Sequence, residues 1–577
     1  MDKHINTRTS VLFLSFVVLG IYYPALFAPL NSVDDPGMYA YLLNTDSFTL
    51  HNIFASGGGN YYRPVLIVSY MMDKYVWGLE ESFMHLENIV FHLLNTLLAF
   101  AIARKAALLQ GLRSGIVPLI AALFFAIHPL NTEVVAWIAG RTDLLAGFFL
   151  FLSAWLLLRK TTNYALTLLA ALCMLLGCLA KETAIFFLPA AMILPFFISE
   201  SESNRASLRI TFLKNLPHLL IFFIAGAAYF AFRTGAFTRG DVGVGQVFSH
   251  VGGEKSAGLL LNLRLIFKAA GFYLKKLFIP FPLNFGITHV SDLYIPVGIL
   301  LFIIVFWLLT RRTLVAFFFV CSAVVGSSAL MIPLLKQTWT PLAERYMYIP
   351  SAFFIIGLTF AVYRWDKRIQ YQSIITCLLT FVAGIAVFGT ASRTILWQDN
   401  LAFYQDTRRK SPDFVPAQNE VANALYAQGK NKQADTIITS IQLPEELINR
   451  QYGLISKANV LINNGDFIGA RALINQALSD PGKLETIMLK NMLIIDRLEL
   501  MAKKKTLKEL YTGSVKTLTR LIELTGDPFY LYRLGIVQMQ VGERQKAIAA
   551  FNTVVQTAPP DAYYRKPAEK LAEELAK

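Results

Sequence analysis

Charge is scarce: only 16% of the 577 residues are Asp, Glu, Lys or Arg, against about 25% in a typical soluble domain. Too few ionic groups are present to surface a soluble body of this length, so an ordinary soluble enzyme is excluded. Cysteine is scarcer still. Cys173, Cys178, Cys321 and Cys377 all lie in apolar runs, and no pair has the spacing of a metal module or a disulfide framework. Asn-x-Ser/Thr acceptor sites are absent altogether, which favours a bacterial envelope over the endoplasmic reticulum. What fills the chain is apolar: 55% hydrophobic residues, 44 of them Phe, with a mean hydropathy of +0.48. That is a membrane composition.

The net charge of +15 is unevenly spread. Residues 411–577 hold 21 basic and 18 acidic residues, leaving 32 and 20 in the first 410. The excess sits in the apolar part, where it follows the positive-inside rule rather than marking a nucleic-acid partner. Runs able to cross about 30 Å of hydrocarbon fall near 11–30, 84–103, 116–130, 144–158, 164–180, 184–198, 216–232, 295–310, 314–335, 348–363 and 373–391. The first is longer than a secretory signal core and reads as a retained span. Basic clusters (Arg104/Lys105/Arg113, Arg159/Lys160, Arg205/Arg209/Lys214, Arg311/Arg312 and Arg364/Lys367/Arg368) fall on alternate loops. With all of them in the cytoplasm there are eleven spans, the N-terminus inside and the C-terminus outside. Residues 259–280 carry Arg264, Lys268, Lys275 and Lys276, and counting them as a crossing would break that parity. They read as an amphipathic helix lying on the outer surface.

After Trp397 a helical repeat appears. Gly429 and Gly465 are 36 residues apart and Gly542 follows 77 later, against a tetratricopeptide unit of about 34. A degenerate unit is therefore expected in 485–525. Small residues at the turns let paired helices pack closely, and such arrays present a concave groove.

The outer loops hold the chemistry-bearing residues. Asp34 and Asp35 follow the first span, and "GGGNYYRPV" brings Tyr62 and Arg63. His85, Asn88, His92 and Asn95 form one polar stripe on an apolar helix; hydrogen bonding between helices is its plainer use. "HPLNTEVVAWIAGRTDLL" supplies His128, Glu133, Arg141 and Asp143, while Lys181–Glu182 and Glu344–Arg345 join apolar runs on the same face. Ionisable groups at one membrane depth mark a polar cavity or a set of structural ion pairs. Carboxylates beside cations at headgroup height suit transfer from a polyprenyl-phosphate sugar. One acid takes the proton of an acceptor hydroxyl while cations meet the charge growing on the departing phosphate.

The chain resembles the GT-C membrane glycosyltransferases, and among them the transmembrane and tetratricopeptide-repeat-containing O-mannosyltransferases and their bacterial relatives. The resemblance runs through Asp34–Asp35, "YYRPV" at 61–65, the stripe from His85, the 128–145 segment, "KET" at 181–183, "AERYMYIPS" at 343–351 and the repeats. It implies an all-α fold: a GT-C-like membrane bundle over 1–395 and a helical-repeat domain over 396–577 on the outer face. It also implies an inverting, single-displacement transfer from a polyprenyl-phosphate sugar to Ser or Thr hydroxyls of a protein. The catalytic base falls on Asp34 or Asp35, with Asp34 preferred. Arg141, Lys181 and Arg345 are expected to hold the donor phosphate. Arg63, Tyr62, His85, His92, His128, Glu133, Asp143, Glu182 and Glu344 are expected to shape the site or meet the acceptor. Some GT-C enzymes use a divalent metal, and no residues here have clear ligand spacing. The implied partners are the bilayer, the lipid-linked sugar and a protein or peptide held by the repeats. The implied location is a bacterial inner membrane, with site and repeats facing the periplasm. Two other readings are a transferase acting on a lipid or polysaccharide and a non-enzymatic repeat-bearing scaffold.

Overall fold

The computed structural model describes residues 6–32, 35–44, 49, 53–54, 62–112, 115–159, 163–198, 212–236, 258–335, 340–366, 372–444, 447–559 and 562–576. Among them the chain is helical throughout, with a single isolated antiparallel bridge between Ile287 and Leu342 in place of any sheet. It forms two compact units, Met1–Ser411 and Pro412–Lys577. The division lies beyond the expected residue 395 because a short helix, Asn400–Lys410, packs with the first unit.

Among the described residues of the first unit, eight helices are long and apolar enough to cross a membrane, or nine if Ile116–Ala126 and Pro129–Ala136, bent by 47°, form one span. Tyr164–Ala180 and Glu182–Ile198 are shorter apolar helices. Together they occupy all eleven apolar runs, and the protein is an integral membrane protein.

The bend follows from His128–Pro129. Proline has no N–H to donate and pushes the residue before it out of the helical region; His128 is accordingly extended (φ −68°, ψ 122°). Carbonyls freed there need partners, because hydrocarbon supplies none. His92 meets the Ala126 carbonyl (3.1 Å), Thr390 donates to that of Ile127 (2.7 Å) and Asn131 to that of Phe125 (2.7 Å). A second break at Trp137 leaves its carbonyl to Asn88 (2.8 Å), and Asn95 donates to Leu144 O (2.9 Å). The polar stripe of Glu81–Leu109 thus serves largely to hold a broken backbone.

Helix Leu259–Phe278 differs from its expected flat lie on the surface. Gly271 meets Tyr294 and Gly298, while Phe267 meets Gly298 and stacks edge-on with Phe302. Positions fall along one helix as they rise along the other, so it runs antiparallel beside Tyr294–Arg311 for about two turns of 3.6 residues. A Cβ on Gly298 would lie 1.9 Å from the Phe267 carbonyl oxygen. Only glycine permits that approach, the close-packing device of membrane helices.

In the second unit, helix pairs Val415–Ala427/Asn431–Thr439, Leu447–Asn463/Phe467–Leu478, Glu485–Met501/Leu507–Thr525 and Pro528–Gln540/Arg544–Thr557 precede a last helix, Arg565–Ala576. The degenerate 485–525 segment forms a pair like the others. Gly429, Gly465 and Gly542 turn with φ of +74°, +76° and +87°, and in the degenerate unit Lys503 does so at +53°.

Candidate functional site

Asp34 lies outside the described residues. Asp35 opens the helix Asp35–Asn44, is only 1% exposed, and its Oδ2 accepts the Asn31 N–H at 2.8 Å. It faces the neighbourhood of Tyr70, on the helix Pro64–Met72. Burial raises that hydroxyl above its ordinary value, and the charges acting on it are Arg141, Asp35, Asp73 and Arg63 in that order. Asp35 therefore belongs to the same charged neighbourhood of Tyr70 as Arg141, Asp73 and Arg63.

Those cations are paired. Arg63 grips Glu182 with both forks, Nε to Oε2 at 2.9 Å and Nη2 to Oε1 at 2.6 Å, and both side chains remain partly exposed. Tyr62 beside it is buried. Lys181 Nζ donates to both oxygens of Asp143, at 2.6 and 2.7 Å, and the pair is buried. Arg345 Nη1 meets Glu133 Oε1 at 2.6 Å, its backbone N–H meets Oε2 at 3.2 Å, and its guanidinium lies over Trp137 and Tyr346. Lys276 meets Glu344 at 2.6 Å and the Pro280 and Pro282 carbonyls, while the Asn284 N–H meets the same Glu344 oxygen at 3.0 Å. A small cavity of about 10 Å³, room for about one water molecule, lies beside the Lys181–Asp143 pair, lined also by Thr183, Ser328, Tyr346 and Pro350.

Arg141 corrects the sequence expectation. Its guanidinium is fully buried and committed inward: to Asn88 Oδ1 (3.0 Å), Ser69 Oγ (3.3 Å), Met84 O (2.7 Å), Glu87 (3.0 Å) and Asp73. A cation with every fork occupied and no exposed surface locks the Arg141 helix to Ser69, Asp73 and helix Glu81–Leu109 rather than presenting itself to a phosphate. Gly140 allows this seat, since a Cβ there would sit 2.2 Å from Val134 O. His85 and His92 are buried among the spans; His92 bonds Tyr348 and Ala126, leaving it as structure. His128 receives the Leu130 N–H at 3.4 Å and faces Leu277 O at 3.3 Å, so it ties the bend to helix Leu259–Phe278.

Two residues escaped sequence reasoning. Asp73 is wholly buried; burial, opposed by Arg141, pushes its carboxyl up to about 7, and Glu87 adds to the rise. Lys276 belonged to a face read as headgroup-facing, yet it is 3% exposed. A lone Asp in "SYMMDKYVW" was the available signal for Asp73; nothing local distinguishes Lys276 from Lys275. Among the described residues no group of three or more His, Cys, Asp or Glu could hold a metal ion.

No family model matches the chain. It is 34% identical to the protein O-mannosyl-transferase Tmtc1 of Drosophila melanogaster over 183 residues, which are 30% of this chain and 20% of that protein. It is 38% identical over 114 residues to the protein O-mannosyl-transferase tmtc2 of Xenopus laevis, 19% and 13% of the two chains. It is 36% identical over 96 residues to human protein O-mannosyl-transferase TMTC1, 16% and 10%. The matched segments span at most a fifth of these curated relatives. Among solved structures, the apo oligosaccharyltransferase of Archaeoglobus fulgidus aligns at 13% identity and a TM-score of 0.37 over 70% of this chain and 58% of that one.

Proposed function

We propose that this integral membrane protein, which is similar to protein O-mannosyl-transferases over those segments, is itself a glycosyltransferase. It moves a sugar from a polyprenyl-phosphate donor to a Ser or Thr hydroxyl of a protein, with inversion. What supports this reading is that the Lys181–Asp143 and Arg345–Glu133 pairs meet at Tyr346, while Arg63, from the same loop as Asp35, pairs with Glu182 next to Lys181.

Asp35 is the assigned base, with Asp34 beside it in sequence. It accepts the hydroxyl proton as the acceptor oxygen attacks the anomeric carbon from the face opposite the phosphate. The bond between that carbon and the phosphate oxygen breaks, and its electron pair leaves with the polyprenyl phosphate. Lys181 and Arg345 replace Arg141 as the cations that stabilise the leaving group. Lys181 lines the small cavity beside Asp143, and Arg345 keeps 17% of its side chain exposed. No step is routed through a metal. The repeats hold the protein acceptor, and the site faces the outer side, the periplasm of a bacterial cell.

The test is glycoproteomic. Cells making the chain carry hexose on Ser or Thr of envelope proteins; cells lacking it, or carrying Asp35→Asn, do not. Persistence of that mass in Asp35→Asn cells overturns the base assignment. Loss of sugar from an envelope lipid or polysaccharide instead identifies the other transferase, and full function of Asp35→Asn with no sugar lost anywhere identifies a scaffold.

A further inference from the structure

The helix Asn400–Lys410 is usually what a linker would be: a short, strongly polar segment between the last span and the repeats. Here it is fastened onto the outer end of the first span. Gln398 Nε2 donates to Pro24 O at 2.7 Å and Asn400 Nδ2 to Leu30 O at 2.9 Å. Tyr404 donates its hydroxyl to Asn31 Oδ1 at 2.7 Å and accepts from Ser32 Oγ at 3.2 Å. Asn31 in turn gives its backbone N–H to Asp35 Oδ2 at 2.8 Å. Tyr404 and Phe403 are buried, and Phe403 packs on Trp397 at 4.2 Å and Phe285 at 5.2 Å. Beyond them, Lys410 Nζ reaches Leu283 O at 2.8 Å.

We propose that Tyr404 is a positioning residue for Asp35, acting through Asn31. This rests on the reading of Asp35 as the base. One residue carries both halves of the link: the side chain of Asn31 is held by Tyr404 while its main chain orients the carboxylate. A base must meet the acceptor hydroxyl within hydrogen-bond reach, and misplacement by about 1 Å can lower a rate about 100-fold. The bond from Tyr404 ties the Asn31–Asp35 segment to a helix 373 residues away in sequence. The same helix ends at Lys410, just before the second unit begins at Pro412.

The experiment uses membranes from cells making the full chain, with their endogenous lipid donor and a synthetic Ser/Thr-rich peptide as acceptor. Tyr404→Phe deletes one hydroxyl and keeps the ring. Its kcat is expected to fall about tenfold with KM for the peptide and the melting temperature unchanged, a loss within the range for misplaced groups. Asn31→Ala should lose a similar factor, and the double variant should lose no more than either alone, because the two lie on one chain of contacts. Arg409→Ala, exposed on the same helix, should leave the rate as it is. Wild-type kcat in Tyr404→Phe beside an inactive Asp35→Asn overturns the positioning role alone. A fall in melting temperature matching the fall in rate, or additive losses in the double variant, reduces Tyr404 to a structural anchor and also overturns it. Full activity of Asp35→Asn overturns the base assignment itself.

Discussion

In the first unit Arg141 and Asp73 meet with neither side chain exposed, whereas in the second Arg520 meets Glu485 with 47% and 16% of theirs in solvent. The same two kinds of group therefore do different physical work. Away from water, a charge without its partner is strongly unfavourable, so each pair fixes which helices lie together. In solvent, water replaces a lost partner, and the pair decorates a fold held by apolar packing such as Phe551 against Gly535. Arg471, bridging Asp496 and Glu499, is the intermediate case: half-buried, and joining neighbouring helices of the array.

The sharpest way to break the contrast is to remove a buried partner. Arg141→Gln should destabilise the first unit by about 3–5 kcal/mol, because Asp73 is then left buried, with the partly exposed Glu87 beside it and no cation. Thermal unfolding in detergent should show a large drop in one transition, with the helical signal of the repeats retained. An unchanged midpoint would mean that water already reaches this cluster.

The response to pH separates the two kinds of carboxyl next. The folded-state value of Asp73 is raised, from 3.8 to about 7, so its contribution is fully present below the unfolded value and is lost as pH rises through about 7. Asp406 behaves oppositely. Burial works against its charge, but Lys410, Arg393 and Arg409 outweigh it and hold the carboxyl below its ordinary value. Its contribution is present above the unfolded carboxylate range and fades as pH falls through the lowered value. Melting temperature should thus decline as pH rises from the ordinary carboxylate range up to about 7 in the wild type, and Asp73→Asn should flatten that decline. Asp406→Asn should leave it in place.

Smaller effects sharpen the repeat side. Lys503 occupies the left-handed region where the other units carry glycine, so Lys503→Gly should stabilise the second unit by up to about 1 kcal/mol, measured by denaturant unfolding. Smallest of all, Arg520→Gln should shift no unfolding midpoint measurably. A clear shift there would show that surface pairs in the repeats act as a network.

Much of this molecule was legible from local pattern. All eleven apolar runs became helices because hydropathy over twenty residues is a property of the segment itself, and the turn glycines at 429, 465 and 542 marked helix pairs by backbone conformation alone. The sequence also located the polar segments, including Asp35, Lys181 and Arg345. It could not say which acid meets which cation. Arg141 belongs to Asp73, Lys276 to Glu344 and Tyr404 to Asn31 across intervals of 68, 68 and 373 residues. Likewise only packing revealed that Gly271 and Gly298 bind two helices side by side. Periodicity is set by a residue's chain neighbours; pairing is set by which helix faces are brought together, and that is decided when the bundle closes.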